Sequence, residues 1–192
     1  MTVLMRASEI EKRPVVTMAG EDVAQIKDIV YAAGGGEVSG FTLAGRGLFS
    51  GPKKEVLAWS HVAALGPDAV MILRDDVLAS PTEVFTSGGS GGNILGSQVL
   101  TDSGTDLGKV IDVIIEVSGT NGGKCDVVGY EVESSESLKN KGTKVLIPLP
   151  DTLAASAEHL MVPASATEFV RDDLAGFGAA IEAFRAQLEG SH

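Results

Sequence analysis

The chain has 192 residues, a formal net charge of −11 and only 5 % aromatic residues. That balance opposes nucleic-acid binding, which needs a basic stripe to neutralise phosphates, and it opposes docking on anionic membranes. A single cysteine, Cys125, excludes an internal disulfide framework, and no run approaches the roughly 20 apolar residues that would span a bilayer.

The opening Met1-Thr2-Val3-Leu4-Met5-Arg6 has no long apolar run of the kind a secretory signal carries. A cytoplasmic protein without membrane insertion is expected. Ala7-Ser8-Glu9-Ile10 reads as one helical turn leading into a β unit. Residues 15–17 form a short strand, and Gly20 sits in a tight turn that asks for positive φ. Residues 23–31 form a long strand whose apolar positions, Val23, Ile26, Ile29 and Val30, break strict alternation. A break of that kind predicts a bulge or a sharp coil, which small barrels need to close. Further strands follow at 38–44, 55–59 and 69–73, with a polar connection at 45–54.

Residues 99–114 then repeat residues 15–30. Gly104 stands 84 residues after Gly20, and at the same offset Thr17 meets Thr101, Asp22 meets Asp106, Ile26 meets Val110 and Asp28 meets Asp112. Past the hairpin the offset becomes 89, so that Phe41 meets Tyr130 and Gly40 meets Gly129. Those two glycines are expected to permit close backbone approach in a curved sheet. Trp59-Ser60 is read as standing where the second copy has Ile147-Pro148. The division that follows is a first unit at 1–73, a connector at 74–93 ending in the linker Ser87-Gly88-Gly89-Ser90-Gly91-Gly92, a second unit at 94–163 and a C-terminal helix at 164–189. Ser165 and Glu168 have capping-box spacing. Val170, Leu174, Phe177, Ile181, Phe184 and Leu188 form an apolar seam at alternating steps of four and three, fit to pack on the β units or on a second copy.

The run Gly104-Thr105-Asp106-Leu107-Gly108-Lys109-Val110-Ile111-Asp112-Val113, after Val99-Leu100-Thr101-Asp102, resembles the opening of a PRC-barrel domain. Val145-Leu146-Ile147-Pro148 and Leu160-Met161-Val162 fall where that family has its fourth and final strands. The resemblance implies a mainly β protein, with two tandem small PRC-like β-barrels of about five to six strands each and a C-terminal amphipathic α-helix. PRC-barrels of the photosynthetic reaction-centre H subunit and of a ribosome-maturation factor act as adaptor or assembly elements. The resemblance brings no catalytic residues with it.

The residues themselves offer little convergent chemistry. His61, His159 and Cys125 lie apart in sequence, and no metal-ligand or nucleophile motif joins them. The recurring carboxylates Asp22/Asp106 and Asp28/Asp112 are explained by duplication, with turn bonding and a solvated strand face as their expected roles. Arg46, Lys53 and Lys54 make a small basic loop in an acidic chain. With Leu48, Phe49 and Trp59 they form a candidate interaction surface, because an aromatic beside a flexible loop is a frequent interface anchor; core filling is the equal alternative for Trp59. No catalytic, metal or cofactor site is expected. The function anticipated is a non-enzymatic protein-interaction or assembly module, whose partner is an unidentified protein or a second copy of the chain. The alternatives are an RNA- or ribosome-associated maturation factor and a small-ligand binder using the cleft between the barrels.

Overall fold

A computed structural model describes residues 2–32, 36–47, 50–81, 94–119, 123–136, 142–150, 154–155 and 159–191. The chain opens with β1 (Thr2–Arg6) and the single helical turn α1 (Ala7–Ile10). The first unit continues with β2 (Pro14–Thr17), β3 (Asp22–Tyr31), β4 (Val38–Ala44), β5 (Pro52–Ala58), β6 (Val62–Leu65) and β7 (Val70–Ile72). These form a six-stranded sheet in the order β5-β4-β3-β2-β7-β6. The second unit has β8 (Gln98–Thr101), β9 (Asp106–Ser118), β10 (Lys124–Ser134), β11 (Lys144–Pro148), β12 (Ala154–Ala155) and β13 (His159–Val162). Its order, β11-β10-β9-β8-β13-β12, is the same path again.

The repetition extends to register. β2 and β7 run parallel with Val15 opposite Val70, and β8 and β13 run parallel with Val99 opposite Leu160. The turn glycines Gly20 and Gly104 have φ of 91° and 84°. In each turn a threonine hydroxyl accepts a backbone N–H, from Glu21 to Thr17 at 3.1 Å and from Thr105 to Thr101 at 3.0 Å. The broken alternation is the expected bulge. The register of β3 on β4 slips between Ile26 and Asp28, and that of β9 on β10 slips between Val110 and Asp112. Lys27 and Ile111 are the extra residues, and they let each long strand coil without turning its apolar set outward. Phe41 opposite Leu57 and Tyr130 opposite Ile147 correct one alignment: Leu57-Ala58, and not Trp59-Ser60, is the counterpart of Ile147-Pro148.

Two elements depart from the sequence reading. β1 does not join the first sheet. It pairs antiparallel with the far half of β9, from Thr2 opposite Ser118 to Arg6 opposite Ile114, and makes the second sheet seven-stranded. β8 occupies the near half of the same edge. The C-terminal region is only partly helical: a 3-10 turn spans Ala164–Phe169, and α2 covers Phe177–Glu189. Between them Arg171 exchanges backbone hydrogen bonds with Leu146 on β11, at 2.7 and 3.1 Å. That ladder engages the peptide groups a longer helix would have used, and Gly176 and Gly178 lower helix propensity just after it. No Ser165–Glu168 capping box forms, because the turn is capped at Pro163 without a side chain. Finally, the linker Ser87–Gly92 lies outside the described residues.

One continuous apolar core runs through both units, including Ile10, Val15, Ile26, Phe41 and Leu57 with Val99, Val110, Tyr130, Val145 and Ile147. A second cluster lies on the outer face of the second sheet, where Phe177, Ala180 and Ile181 of α2 cover Ile114, Val128 and Leu146. Gly129 makes this docking possible: a Cβ there would lie 2.5 Å from the Phe177 ring and 2.8 Å from the Ile147 carbonyl oxygen. Its counterpart Gly40 is tighter still, with a Cβ only 2.2 Å from the Leu57 carbonyl oxygen. Both glycines therefore do what the curved sheet asks of them.

Candidate functional site: the seam between the units

The polar side chains that matter collect where the two units meet. Asp112 on β9 faces Glu131 on β10 across the ladder. Two like charges opposite each other are destabilising, and both are buried, at 6 % and 8 % exposure. The N-terminal strap resolves the conflict. The Arg6 guanidinium donates from Nε to Glu131 Oε2 at 2.9 Å and lies 2.8 Å from the same oxygen through a second nitrogen. The Ser8 hydroxyl donates to Asp112 Oδ2, and the Ser8 and Val113 backbone N–H groups donate to Asp112 Oδ1 at 3.2 and 2.8 Å. The first unit has no such pair. Asp28 is exposed there and faces Thr42, whose Oγ1 accepts the Asp28 backbone N–H at 3.0 Å. Asp28 thus keeps the solvated strand face expected of it, whereas Asp112 does not, because Ser8 arrives from more than a hundred residues away.

A second contact ties the units at their hairpins. Glu37 and Asp126, counterparts at the 89-residue offset, form an antiparallel bridge with each other. The Val127 backbone N–H donates to the Gly36 carbonyl at 3.0 Å. Equivalent residues that meet each other define a local two-fold axis between the repeats. Beside it, Trp59 donates its indole N–H to the Gly123 carbonyl at 2.6 Å and sets its ring edge-on to Phe41, with centroids 6.3 Å apart. Trp59 is thus engaged within the chain, packed against the core and bonded to the second unit.

Between these contacts lies a cleft of about 460 Å³ lined from both units, with Ser8, Glu11, Asp28, Tyr31 and Asp112 among its walls. Desolvation, then the charges of Asp28 and Asp112, raise the Glu11 carboxyl above its ordinary range. Burial, with Asp112 next, raises the Tyr31 phenol. The Tyr130 hydroxyl is buried without a hydrogen-bond partner, and burial raises it too. The Cys125 thiol is pushed up to about 12 by burial and by Asp126.

The other candidates are dispersed. Arg46 is held by Asp22 at 3.0 Å and by Gln25 at 3.3 Å. Lys53 shares a shallow depression with Glu55 and Asp75, and Lys54 is exposed on β5. Leu48 and Phe49 lie outside the described residues. Of the C-terminal seam, Phe177, Ile181 and Phe184 are buried against this chain's own sheet and core, and Val170, Leu174 and Leu188 are partly buried beside them. His61 ends a 3-10 turn after β5 and His159 begins β13. No group of three or more His, Cys, Asp or Glu fit to hold a metal occurs among the described residues. No helix among them is long and apolar enough to cross a membrane. The residues that sequence reading missed are Arg6, Ser8, Glu11 and Glu131. The only local signal was Glu131, an acid set between the apolar Tyr130 and Val132 on β10.

The strand path and its bulges define a class of small β domain that is used twice. The model of the PRC-barrel domain family matches residues 3–78. The chain carries a PRC-barrel domain there, and its two sheets of matching strand order are compatible with a tandem of PRC-like domains. No curated protein matches the chain.

Proposed function

We propose that the chain is a non-catalytic protein-interaction and assembly module. The observation that carries this reading is the seam itself. The segment leading into the first unit is seated on the second sheet by Arg6 and Ser8, and Trp59 of the first unit bonds to Gly123 of the second, so that the two PRC-like domains are joined into one body. Such a body displays edges and loops from both repeats in a fixed geometry. The Cys125 thiol, buried and held protonated at neutral pH, supplies no nucleophile. The RNA-associated reading has less support, because Arg46 is already paired with Asp22 and Lys53 sits beside acids. The test is affinity capture of the intact chain from its native host, with solution mass measured in parallel. A defined stoichiometric partner or a self-assembled species supports the module. A monomer that captures nothing reproducibly overturns it.

A second reading is favoured by one feature: the cleft is walled by both repeats and gathers Glu11, Asp28 and Asp112 near Tyr31. Its chemistry fits a small organic cation with an apolar stem. Titration calorimetry with spermidine, against a Glu11→Gln, Asp28→Asn chain, tests it. Saturable heat lost in the double variant supports a ligand cleft. No heat at low salt removes it.

A further inference from the structure

The sheet edges of this protein are not treated alike. An exposed strand edge invites pairing with another chain, and proteins blunt such edges with charge, proline, bulges or cover. β5 begins Pro52-Lys53-Lys54-Glu55 and is crossed by Ala79, which exchanges two backbone hydrogen bonds with Val56 at 2.8 and 3.2 Å. β11 is covered at Leu146 by Arg171. β6 has four residues and a register break between Val62 and Ala64, and β12 has two residues. β1 has none of these devices. It reads Thr2-Val3-Leu4-Met5-Arg6, is uncharged until its last residue, and pairs only with β9 among the described strands. Leu4 anchors it to the α2 cluster and Met5 to the main core, while Val3 remains 47 % exposed.

We propose that two copies of the chain pair edge to edge through β1, antiparallel about a two-fold axis near Val3, joining their seven-stranded sheets. The inference rests on the assembly reading above and names its partner and surface. A second copy is the occupant for two reasons. An uncharged antiparallel edge is complementary to itself, which an isologous two-fold contact requires. The repeats also meet about a local two-fold at a single antiparallel bridge between the equivalent residues Glu37 and Asp126, a one-pair precedent for the contact. The chain's net charge of −11 disfavours contact between acidic surfaces of two copies, and an uncharged edge avoids that repulsion.

The experiment is sedimentation equilibrium of the full chain over a hundredfold concentration range, beside Val3→Lys and Met18→Lys. Met18 is 57 % exposed and lies in the first unit, away from β1. The expected result is a reversible dimer for the parent and for Met18→Lys, and at least a tenfold weaker dimer for Val3→Lys with unchanged circular dichroism. As a check that does not depend on destabilising the strand, Val3→Cys should give a disulfide-linked dimer under mild oxidation, since Cys125 is buried. A parent that stays monomeric, or a dimer indifferent to Val3→Lys with no cross-link from Val3→Cys, overturns edge pairing. Host capture with the Val3→Lys chain separates the two ideas. A monomer that still binds a defined partner overturns self-pairing alone, whereas a dimer that binds no other protein supports it.

Discussion

Arg6 reaches Glu131 at 2.8 Å within the second sheet, although 125 positions separate the two in sequence. Glu131 in turn faces Asp112, so Arg6 on one acid and Ser8 on the other keep two buried carboxylates compatible. The Arg6 side chain is 28 % exposed and that of Glu131 is 11 % exposed. Removing one partner of a fully buried pair costs about 3–5 kcal/mol, and the partial exposure lowers the expectation for Arg6→Ala to about 2 kcal/mol. Urea unfolding of Arg6→Ala, Glu131→Gln and the double variant should give a coupling of at least about 1 kcal/mol. Additive single effects would show that the pair does not act as one.

Trp59 is the sole tryptophan and reports on the seam directly. Trp59→Phe keeps the edge-on contact with Phe41 but loses the bond to Gly123, at an expected cost of about 1 kcal/mol. In the parent chain, indole emission should shift to longer wavelength together with loss of strand signal on unfolding. An emission change well ahead of the far-ultraviolet transition would mean that the units separate first.

Lys12 has φ of 67°, and its counterpart 84 residues on is Gly96, with φ of 86°. The left-handed region costs a side-chain-bearing residue about 1–2 kcal/mol, part of which glycine returns as entropy of the unfolded chain. Lys12→Gly is therefore expected to stabilise the protein by about 0.5–1 kcal/mol. The melting temperature checks it, and a decrease would show that the lysine stem packs usefully.

Glu11 sets a pH dependence of definite sign. Its folded carboxyl lies above the ordinary value of 4.5, so the folded state holds this proton more tightly than the unfolded state does. The contribution to stability is complete below 4.5 and is lost as pH rises through the elevated folded value. Because the group is largely exposed, the gain from Glu11→Gln at neutral pH should stay under about 1 kcal/mol. Parallel urea curves at pH 4 and pH 7 should show the advantage of Glu11→Gln growing with pH. An advantage that shrinks would reverse the assignment.

What could be read from the amino acids was whatever they encode locally and twice. The turn at Gly20 and Gly104 declared itself because a single residue type tolerates that φ. The bulge in the first long strand declared itself because Val23, Ile26, Ile29 and Val30 disturb a period of two, and its copy at Ile111 follows from the repeat. The misread features depend on distant partners. Nothing near Asp112 says that Ser8 will bury it. Nothing in Thr2-Val3-Leu4-Met5 says which sheet will accept it, since an apolar strand fits either. Residues 170–176 have helical periodicity, yet Leu146 offers Arg171 a ladder that local spacing does not reveal. The seam was therefore the least legible part, because every contact that builds it is long-range.

The bridge between Glu37 and Asp126 has one more consequence. Two domains that meet through matching positions behave as a dimer written on a single polypeptide, and the tether fixes their effective concentration whatever the dilution. Neither half must remain its own mirror to stay bound. One was free to acquire Arg6's buried acids and a covering helix while the other kept a solvated aspartate, a divergence that two identical subunits cannot make.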